Sequence, residues 1–156
     1  VSDMKAALMR LTSVARRRVC ITLSTGSSPR MDERILSDIG VKNEFGNDFL
    51  YAFNILVGEG IMPEVSYIKS TRTDTFESFD DAYDGFSRMV LDAVSDKESP
   101  ETSAALDRLR TWTEQHLVAN PEAGEPDKKG VPQKPFKLDC TRIVTWAFLA
   151  WDTARR

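Results

Sequence analysis

The final apolar stretch of the chain, residues 142–152, carries the clearest pattern in the sequence. Its two alternating faces are both largely apolar, with Ile143, Thr145, Ala147, Leu149 and Trp151 on one and Val144, Trp146, Phe148 and Ala150 on the other. A strand that is apolar on both sides is typical of a central strand covered on both faces. The pattern therefore predicts that the chain ends by placing its last strand in the middle of a sheet.

Two earlier segments also have the pattern of strands. Residues 19–23 are short, β-branched and apolar throughout, which favours a parallel strand that is buried on both faces. Residues 64–73 alternate, with Val65 and Tyr67 on the same face. Because both faces of this second segment are less apolar than those of the final strand, we predict that it lies at or near a sheet edge.

Helical spacing of apolar residues recurs in five further segments. Each begins near a residue that commonly caps a helix, and Pro29 and Pro100 stand at the first helical position of two of them. The last two predicted helices lie within residues 76–120. The predicted caps are Ser2, Ser28, Asp48, Ser78 and Ser99.

The order of these elements predicts one α/β domain over residues 1–156, built on three strands and about five helices. Residues 120–136 hold four of the seven prolines, which is typical of a solvated, mobile loop. The chain starts at Val1, with no methionine and no leading strand before the first helix. We therefore expect it to be a piece of a longer protein.

Composition and charge argue against several classes of function. The net charge of -3 comes with no basic stripe, so we expect no nucleic-acid partner. The final apolar run has about half of the ~20 residues that a membrane-spanning helix needs, so we expect no membrane contact. A single histidine and the lack of a Cys-x-x-Cys pair give no metal-binding signature. Cys20 and Cys140 are expected to be buried free thiols of a cytoplasmic protein rather than a disulfide.

The small-residue loop that follows residues 19–23 is the first candidate for chemistry. Thr25, Gly26, Ser27 and Ser28 lie between a predicted strand and a predicted helix, where backbone N–H groups attract anions. The alternative is a plain turn followed by a helix cap. No phosphate-binding glycine motif is present in the loop.

Two polar residues of the third predicted helix are the second candidate. Tyr51 and Asn54 share one helix face, where they would line a pocket or, alternatively, make a structural hydrogen bond. His116 has no partner at a recognisable spacing and is predicted to lie on a helix surface. The acidic residues Asp80, Asp81 and Asp84 fall in the first turns of a helix, where the helix dipole favours acids.

Several segments, taken in chain order, resemble a known family. A helix ending in SVARRR (residues 13–18), a strand VCITL (19–23) and a final strand TWAFLAWD (145–152) resemble the C-terminal half of class I S-adenosylmethionine-dependent methyltransferases of the small-molecule type. Residues 47–65 are similar to the segment that leads into the sixth strand of that family. In the family the seventh strand is antiparallel and lies between the fifth and the sixth.

The resemblance implies a fragment of a Rossmann-like methyltransferase fold, with a small three-stranded mixed sheet whose last strand is antiparallel and central. It implies that the parent protein transfers a methyl group from S-adenosylmethionine to a small-molecule acceptor, which the resemblance does not identify. The loop at residues 24–28 corresponds to the substrate side, while the family's cofactor residues would precede Val1. We therefore expect no cofactor-binding residue in this chain and no activity from it alone. Residues 76–120 would be a helical insert.

The resemblance also leaves the first strand without its outer neighbour. We expect the open edge of residues 18–23 to be covered by the missing N-terminal half or by a second copy of the chain, as in a dimer, because exposed edges invite pairing. The alternative interpretation is a stand-alone α/β interaction module without catalysis. Such a module would dock through Phe49, Tyr51 and Phe53 or through an exposed side of the sheet.

Overall fold

A computed structural model of the chain describes residues 3–45 and 47–153. This part of the chain is mixed α/β, with five helices and small antiparallel sheets, which confirms the fold class at that level. The helices are α1 (Met4–Val14), α2 (Glu33–Asp38), α3 (Asp48–Gly58), α4 (Phe79–Ala93) and α5 (Pro100–His116). The strands are β1 (Arg18–Ser24), β2 (Ser27–Ser28), β3 (Met31–Asp32), β4 (Glu64–Arg72), β5 (Thr75–Phe76), β6 (Leu117–Ala119), β7 (Phe136–Leu138) and β8 (Arg142–Asp152).

The chain divides into two compact units, and each is described by itself. The sheet unit takes its described residues from the ranges 3–29, 47–70 and 144–153. The helical unit comprises residues 30–45 and 71–143. Whether the two behave as the single domain expected from the sequence stays a prediction.

The sheet unit contains a three-stranded sheet in the order β1–β8–β4. The central strand, β8, is antiparallel to β1, with Val19 opposite Trp151 and Ile21 opposite Leu149. The predictions of a central final strand over residues 142–152 and of an edge strand beginning at Glu64 are thus confirmed. The prediction that β1 runs parallel to its neighbour is wrong, because its only strand partner in the described residues is the antiparallel β8.

The core of the sheet unit lies on one face of this sheet. Leu8 of α1 and the α3 residues Phe49, Ala52 and Leu56 are buried with Val19, Ala147, Leu149 and Trp151. The indole Nε1 of Trp151 donates a hydrogen bond to Thr12 Oγ1 at 3.0 Å, which ties the end of β8 to α1. The helices of this unit cover this face of the sheet. Val144 and Ala150 on the other face of β8 are buried as well, so burial on both faces of the final strand is confirmed.

The expectation that β1 is buried on both faces is also wrong. Val19 is buried, and Ile21 and Leu23 are half-buried, but Cys20 and Thr22 on the other face are exposed. Small side chains such as these occur on solvated surfaces as well as in cores, so the apolar pattern alone could not predict whether this face is buried. Cys20 and Cys140 are both free of disulfide bonds, as expected, but both are exposed rather than buried.

Several helices begin later or earlier than predicted. Ser78 and Ser99 cap α4 and α5 as expected, but Asn47 rather than Asp48 caps α3. Ser2 lies outside the described residues, and the Asp3 carboxylate caps α1 by accepting a hydrogen bond from Ala6 N. The cap expected at Ser28 is wrong, because Ser27–Ser28 and Met31–Asp32 are extended. Asp32 caps α2 instead.

The core of the helical unit lies between α2, α4 and α5. Ile35 and Leu36 of α2 are buried with Phe86 of α4 and with Leu109 and Trp112 of α5. The helices α4 and α5 both lie within residues 76–120, where the sequence predicted two helices. A short sheet in the order β5–β7–β6 completes this unit. Its strand β6, Leu117–Ala119, lies within the range 76–120 in which the sequence predicted only helices.

The long loop at residues 120–136 is largely exposed as predicted, although Asn120 is buried, and backbone hydrogen bonds join its two sides. Asn120 N donates to Pro135 O, Gly124 N to Gln133 O, and Asp127 N to Val131 O, at 2.7–2.9 Å. Pro126 and Pro132 form an antiparallel bridge between the two sides. The segment is therefore an extended hairpin rather than an irregular loop, while its mobility stays a prediction.

Candidate functional site

The loop after β1 is the first place to look for a site, because ligands of open α/β sheets lie at the carboxyl ends of strands. Thr25 Oγ1 donates to Thr145 O of β8 at 2.7 Å and accepts from Ser27 N at 3.3 Å. Gly26 and Ser28 are buried. The hydroxyl of Thr25 is thus engaged within the protein, where it fastens the loop to the central strand.

Tyr51 and Asn54 lie on the exposed side of α3, and Tyr51 is 63% exposed. The first turn of this helix meets the end of β1 through a long hydrogen bond from Ser24 Oγ to Asp48 Oδ2, at 3.4 Å. Tyr51 follows Asp48 by one helical turn. In the described residues neither Tyr51 nor Asn54 hydrogen-bonds to Thr25 or Ser27. The start of α3 therefore lies beside the loop, but the candidate residues of the helix do not contact those of the loop through hydrogen bonds.

The anion-binding hypothesis for this loop loses its structural basis. It required a helix that starts at Ser28, but α2 begins at Glu33 and has only six residues. Its cap, Asp32, is itself negatively charged, and the carboxylate accepts hydrogen bonds from Arg34 N and Arg34 Nη2 at 3.1 Å. An anion at this helix end would meet a buried carboxylate, which opposes binding.

The helical unit contains a polar cluster that the sequence did not predict. Asp32, which is 2% exposed, faces Arg34 at 3.1 Å and Arg142 at 3.9 Å. Arg142 Nη2 also contacts Asp74 Oδ2 at 3.1 Å. Arg34 Nη1 lies 2.7 Å from the Sγ atom of Cys140. These side chains link the start of α2, the segment after β4 and the start of β8.

A second part of this cluster surrounds His116. Its Nδ1 atom lies 2.9 Å from Asp139 Oδ2, and its ring stacks on Trp112 with centroids 4.4 Å apart. The expectation that His116 has no carboxylate partner is therefore wrong. The pairing of Leu117 with Leu138 places residues 116 and 139 side by side, although 23 positions separate them in the chain.

The environment of Cys140 does not favour a reactive thiol. Although the residue is exposed as a whole, partial desolvation of the thiol is the first cause that raises the pKa of Cys140, and a hydrogen bond to Asp139 raises it further, against the smaller opposing effect of Arg34. Burial also acts to raise the pKa of Asp139, but hydrogen bonds from His116 and Cys140 outweigh it and hold that pKa below its ordinary value. A thiolate nucleophile needs a lowered pKa, and the surroundings of Cys140 act in the opposite direction.

The helical unit also contains a groove of about 340 Å³. The groove is bordered by the turn after α2 and by the start of α5, including Lys42, Glu44, Glu101 and Arg108. Arg108 Nε donates to Ile39 O at 2.7 Å, and Glu44 Oε2 accepts from Ser95 N at 2.9 Å. Two of the charged side chains that border the groove, Arg108 and Glu44, therefore hydrogen-bond to nearby backbone.

The described part of the chain has neither a metal-binding cluster nor a membrane-spanning helix. Residues 3–45 and 47–153 contain no group of three or more His, Cys, Asp or Glu side chains placed to hold a metal ion. Over the same ranges, every helix falls short of the length and apolar character needed to cross a bilayer.

Comparison of the sequence with protein-family models finds no match, and a search of curated proteins finds none either.

Proposed function

We propose that this chain is the C-terminal part of a S-adenosylmethionine-dependent methyltransferase acting on a small molecule in the cytoplasm. The sheet order carries the proposal: β8 lies between β1 and β4 and is antiparallel to β1. The family that the sequence resembles has its fifth, seventh and sixth strands in this order, with the seventh strand reversed. An order in which the last strand enters between two earlier ones is uncommon enough to favour that family over a simple meander.

In this proposal the end of β1 and the first turns of α3 form the acceptor side. Thr25 fixes the loop to β8, Gly26, Ser27 and Ser28 shape it, and the exposed Tyr51 and Asn54 supply the groups that can contact an acceptor. The link between Ser24 and Asp48 supports this arrangement, because it holds the helix beside the strand end.

In this proposal S-adenosylmethionine is not held by the loop after β1. The loop after β1 is fastened by its own threonine, and the helix that follows is short and capped by a buried aspartate. In the proposal the cofactor is held by residues of a longer parent protein, and this chain neither binds it nor catalyses the reaction alone.

The test is calorimetric titration of S-adenosylmethionine into two proteins: the 156-residue chain, and the same chain preceded by the sequence encoded upstream of it. We expect saturable heat for the longer protein alone. Formation of S-adenosylhomocysteine by the longer protein should fall in a Tyr51→Ala, Asn54→Ala variant that still binds the cofactor. A longer protein without cofactor binding, or micromolar binding by the chain itself, would overturn the proposal.

A second function, an interaction module, is favoured by the outer side of α3. Leu50, Tyr51 and Val57 are exposed there, so the helix is apolar on its outer side as well as its inner side. The predicted docking surface changes in one respect, because Phe49 is buried in the core and Phe53 is half-buried. This alternative would be favoured if the longer protein formed no S-adenosylhomocysteine and a Leu50→Lys, Val57→Lys variant lost a partner that the wild-type chain retains in a pull-down.

A further inference from the structure

The strand β4 has an edge that no other described strand occupies. In the order β1–β8–β4 it is bonded to β8 on one side, so its other side presents backbone N–H and C=O groups. All nine of its residues are exposed, including Val65 at 37%, Tyr67 at 57% and Ile68 at 51%. Proline is absent from the strand, so nothing in its covalent structure blocks a further strand from pairing.

The sequence of β4 is complementary to itself when it is read in the reverse direction. In an antiparallel pair of identical strands centred on Ile68, Glu64 of each copy lies opposite Arg72 of the other. Ser66 lies opposite Ser70 on the same face, and Ile68 meets its own copy at the centre. Opposite charges, paired hydroxyls and an apolar centre are each favourable cross-strand combinations.

The other face of the strand agrees with this register. Tyr67 would lie opposite Lys69 of the second copy, with the ammonium group beside an aromatic ring, and this contact occurs twice by symmetry. Tyr67 already makes an edge contact with Phe49 at 5.9 Å, so this face is the helix-covered side of the sheet. Shifting the centre to Lys69 would place like charges together, and shifting it to Tyr67 would leave Glu64 opposite Ser70.

The side chains at the two ends are accessible. Glu64 contacts Arg18, and its side chain is 75% exposed. Arg72 contacts Asp74, and its side chain is 46% exposed. Asp74 is only 21% exposed but also contacts Arg142, so it keeps an ion-pair partner when Arg72 turns toward a second copy. The pair of Glu64 with Arg18 is exposed, and turning Glu64 costs little.

We propose that the free edge of β4 is the surface on which a second copy of this chain docks, through antiparallel pairing centred on Ile68. This surface differs from the β1 edge at which the sequence led us to expect a dimer. On β1 the equivalent self-pairing centred on Ile21 would place Arg18 opposite Ser24, without charge complementarity. The inference is independent of the transferase proposal, since it uses no residue of the acceptor side.

The test is sedimentation equilibrium of the 156-residue chain and its charge variants over a roughly hundredfold concentration range, because dimerisation follows mass action. We expect the wild type to self-associate. Glu64→Arg alone and Arg72→Glu alone should each weaken association, because each places two like charges at both ends of the pairing. The double variant E64R/R72E should recover it.

Mixing the two single variants gives the sharpest result. One copy then carries arginine at both ends and the other carries glutamate at both, so the mixture should form a heterodimer although each variant alone associates poorly. Glu98→Arg, an exposed substitution in the loop between α4 and α5, is the matched control and should leave association unchanged. Circular dichroism of each variant verifies that it is folded.

Hydrogen–deuterium exchange of the wild type supplies a measurement that needs no variant. Amides of β4 should become protected as concentration rises, while those of β1 should not change. A wild type that stays monomeric, association that ignores the charge reversals, or protection at β1 instead of β4 would overturn the proposal.

Discussion

The two outer strands of the sheet unit, β1 and β4, both lie beside β8 but have different surroundings. Val19 on β1 is 6% exposed and packs in the core with α1 and α3, whereas every residue of β4 is exposed. Two edges of one sheet therefore have different roles. Packing against helices makes β1 part of the folding core, and the lack of such packing leaves β4 available to a partner.

The sequences of the two strands account for this difference. The inward positions of β1 are Val19, Ile21 and Leu23, and the two helices that cover them bury a continuous apolar surface. By contrast, β4 combines three charged residues with serine and threonine, and its clearest contact with the helices is the edge of Tyr67 against Phe49. Matched substitutions in the two strands should therefore lower the free energy of unfolding in β1 but have little effect on it in β4.

The largest difference is expected from one substitution made on each strand. Val19→Ala removes buried methyl groups and should lower the free energy of unfolding by about 2 kcal/mol. Val65→Ala removes the same groups from an exposed position and should cost about 0.5 kcal/mol or less. Urea denaturation followed by circular dichroism measures both. Equal losses in the two variants would remove the distinction between the strands.

The next effect concerns the hydrogen bond that fastens β8 to α1 beside Val19. Thr12→Val removes the acceptor of the Trp151 indole N–H, and Trp151 is 2% exposed. A buried donor without a partner costs about 1–2 kcal/mol. Thr22→Val, made on the exposed face of β1, is the control and should change the unfolding free energy little. A Thr12→Val protein as stable as the wild type would show that water replaces the hydroxyl.

Features with a local cause could be predicted from the sequence. The two-faced apolar run gave the bounds of β8, and Ser78 and Ser99 gave the starts of α4 and α5, because a cap acts within three residues of itself. The same local rule failed at Ser28, since residues 27–32 adopt extended conformations and Asp32 provides the cap.

Features with a non-local cause could not be predicted. The contact of His116 with Asp139 depends on the pairing of β6 with β7 across the long hairpin, which has no strong pattern of its own. The exposure of Cys20 depends on which face of the sheet the helices cover, and small side chains do not decide that. The candidate site could not be predicted for the same reason, because Thr25 donates its hydrogen bond to Thr145 O, 120 residues further along the chain.

A smaller effect should distinguish a structural from a substrate-binding role for the loop after β1. Thr25→Val removes the hydrogen bond to Thr145 O and should lower the unfolding free energy by about 1 kcal/mol. Thr25→Ser keeps the hydroxyl and should retain most of this stability. Thermal unfolding of the two variants makes the comparison. Equal stability of the two variants would mean that the hydrogen bond to Thr145 O does not stabilise the fold, and a ligand-binding role for the hydroxyl would then be favoured.

The smallest effect is expected at the charged ladder that crosses all three strands. Arg18 of β1 contacts Asp152 of β8 at 3.1 Å and also contacts Glu64 of β4, and hydrogen bonds to Glu64 first and Asp152 second raise the pKa of the Arg18 guanidinium. All three groups are in contact with solvent, where ion pairs are weak and are screened by salt. Arg18→Gln should therefore shift the urea midpoint less than any of the substitutions above, and the shift should vanish at about 1 M salt, where screening is nearly complete. Arg10→Gln on α1 is the matched control. A salt-independent loss as large as that of Val19→Ala would mean that the ladder, and not helix packing, distinguishes the two edges.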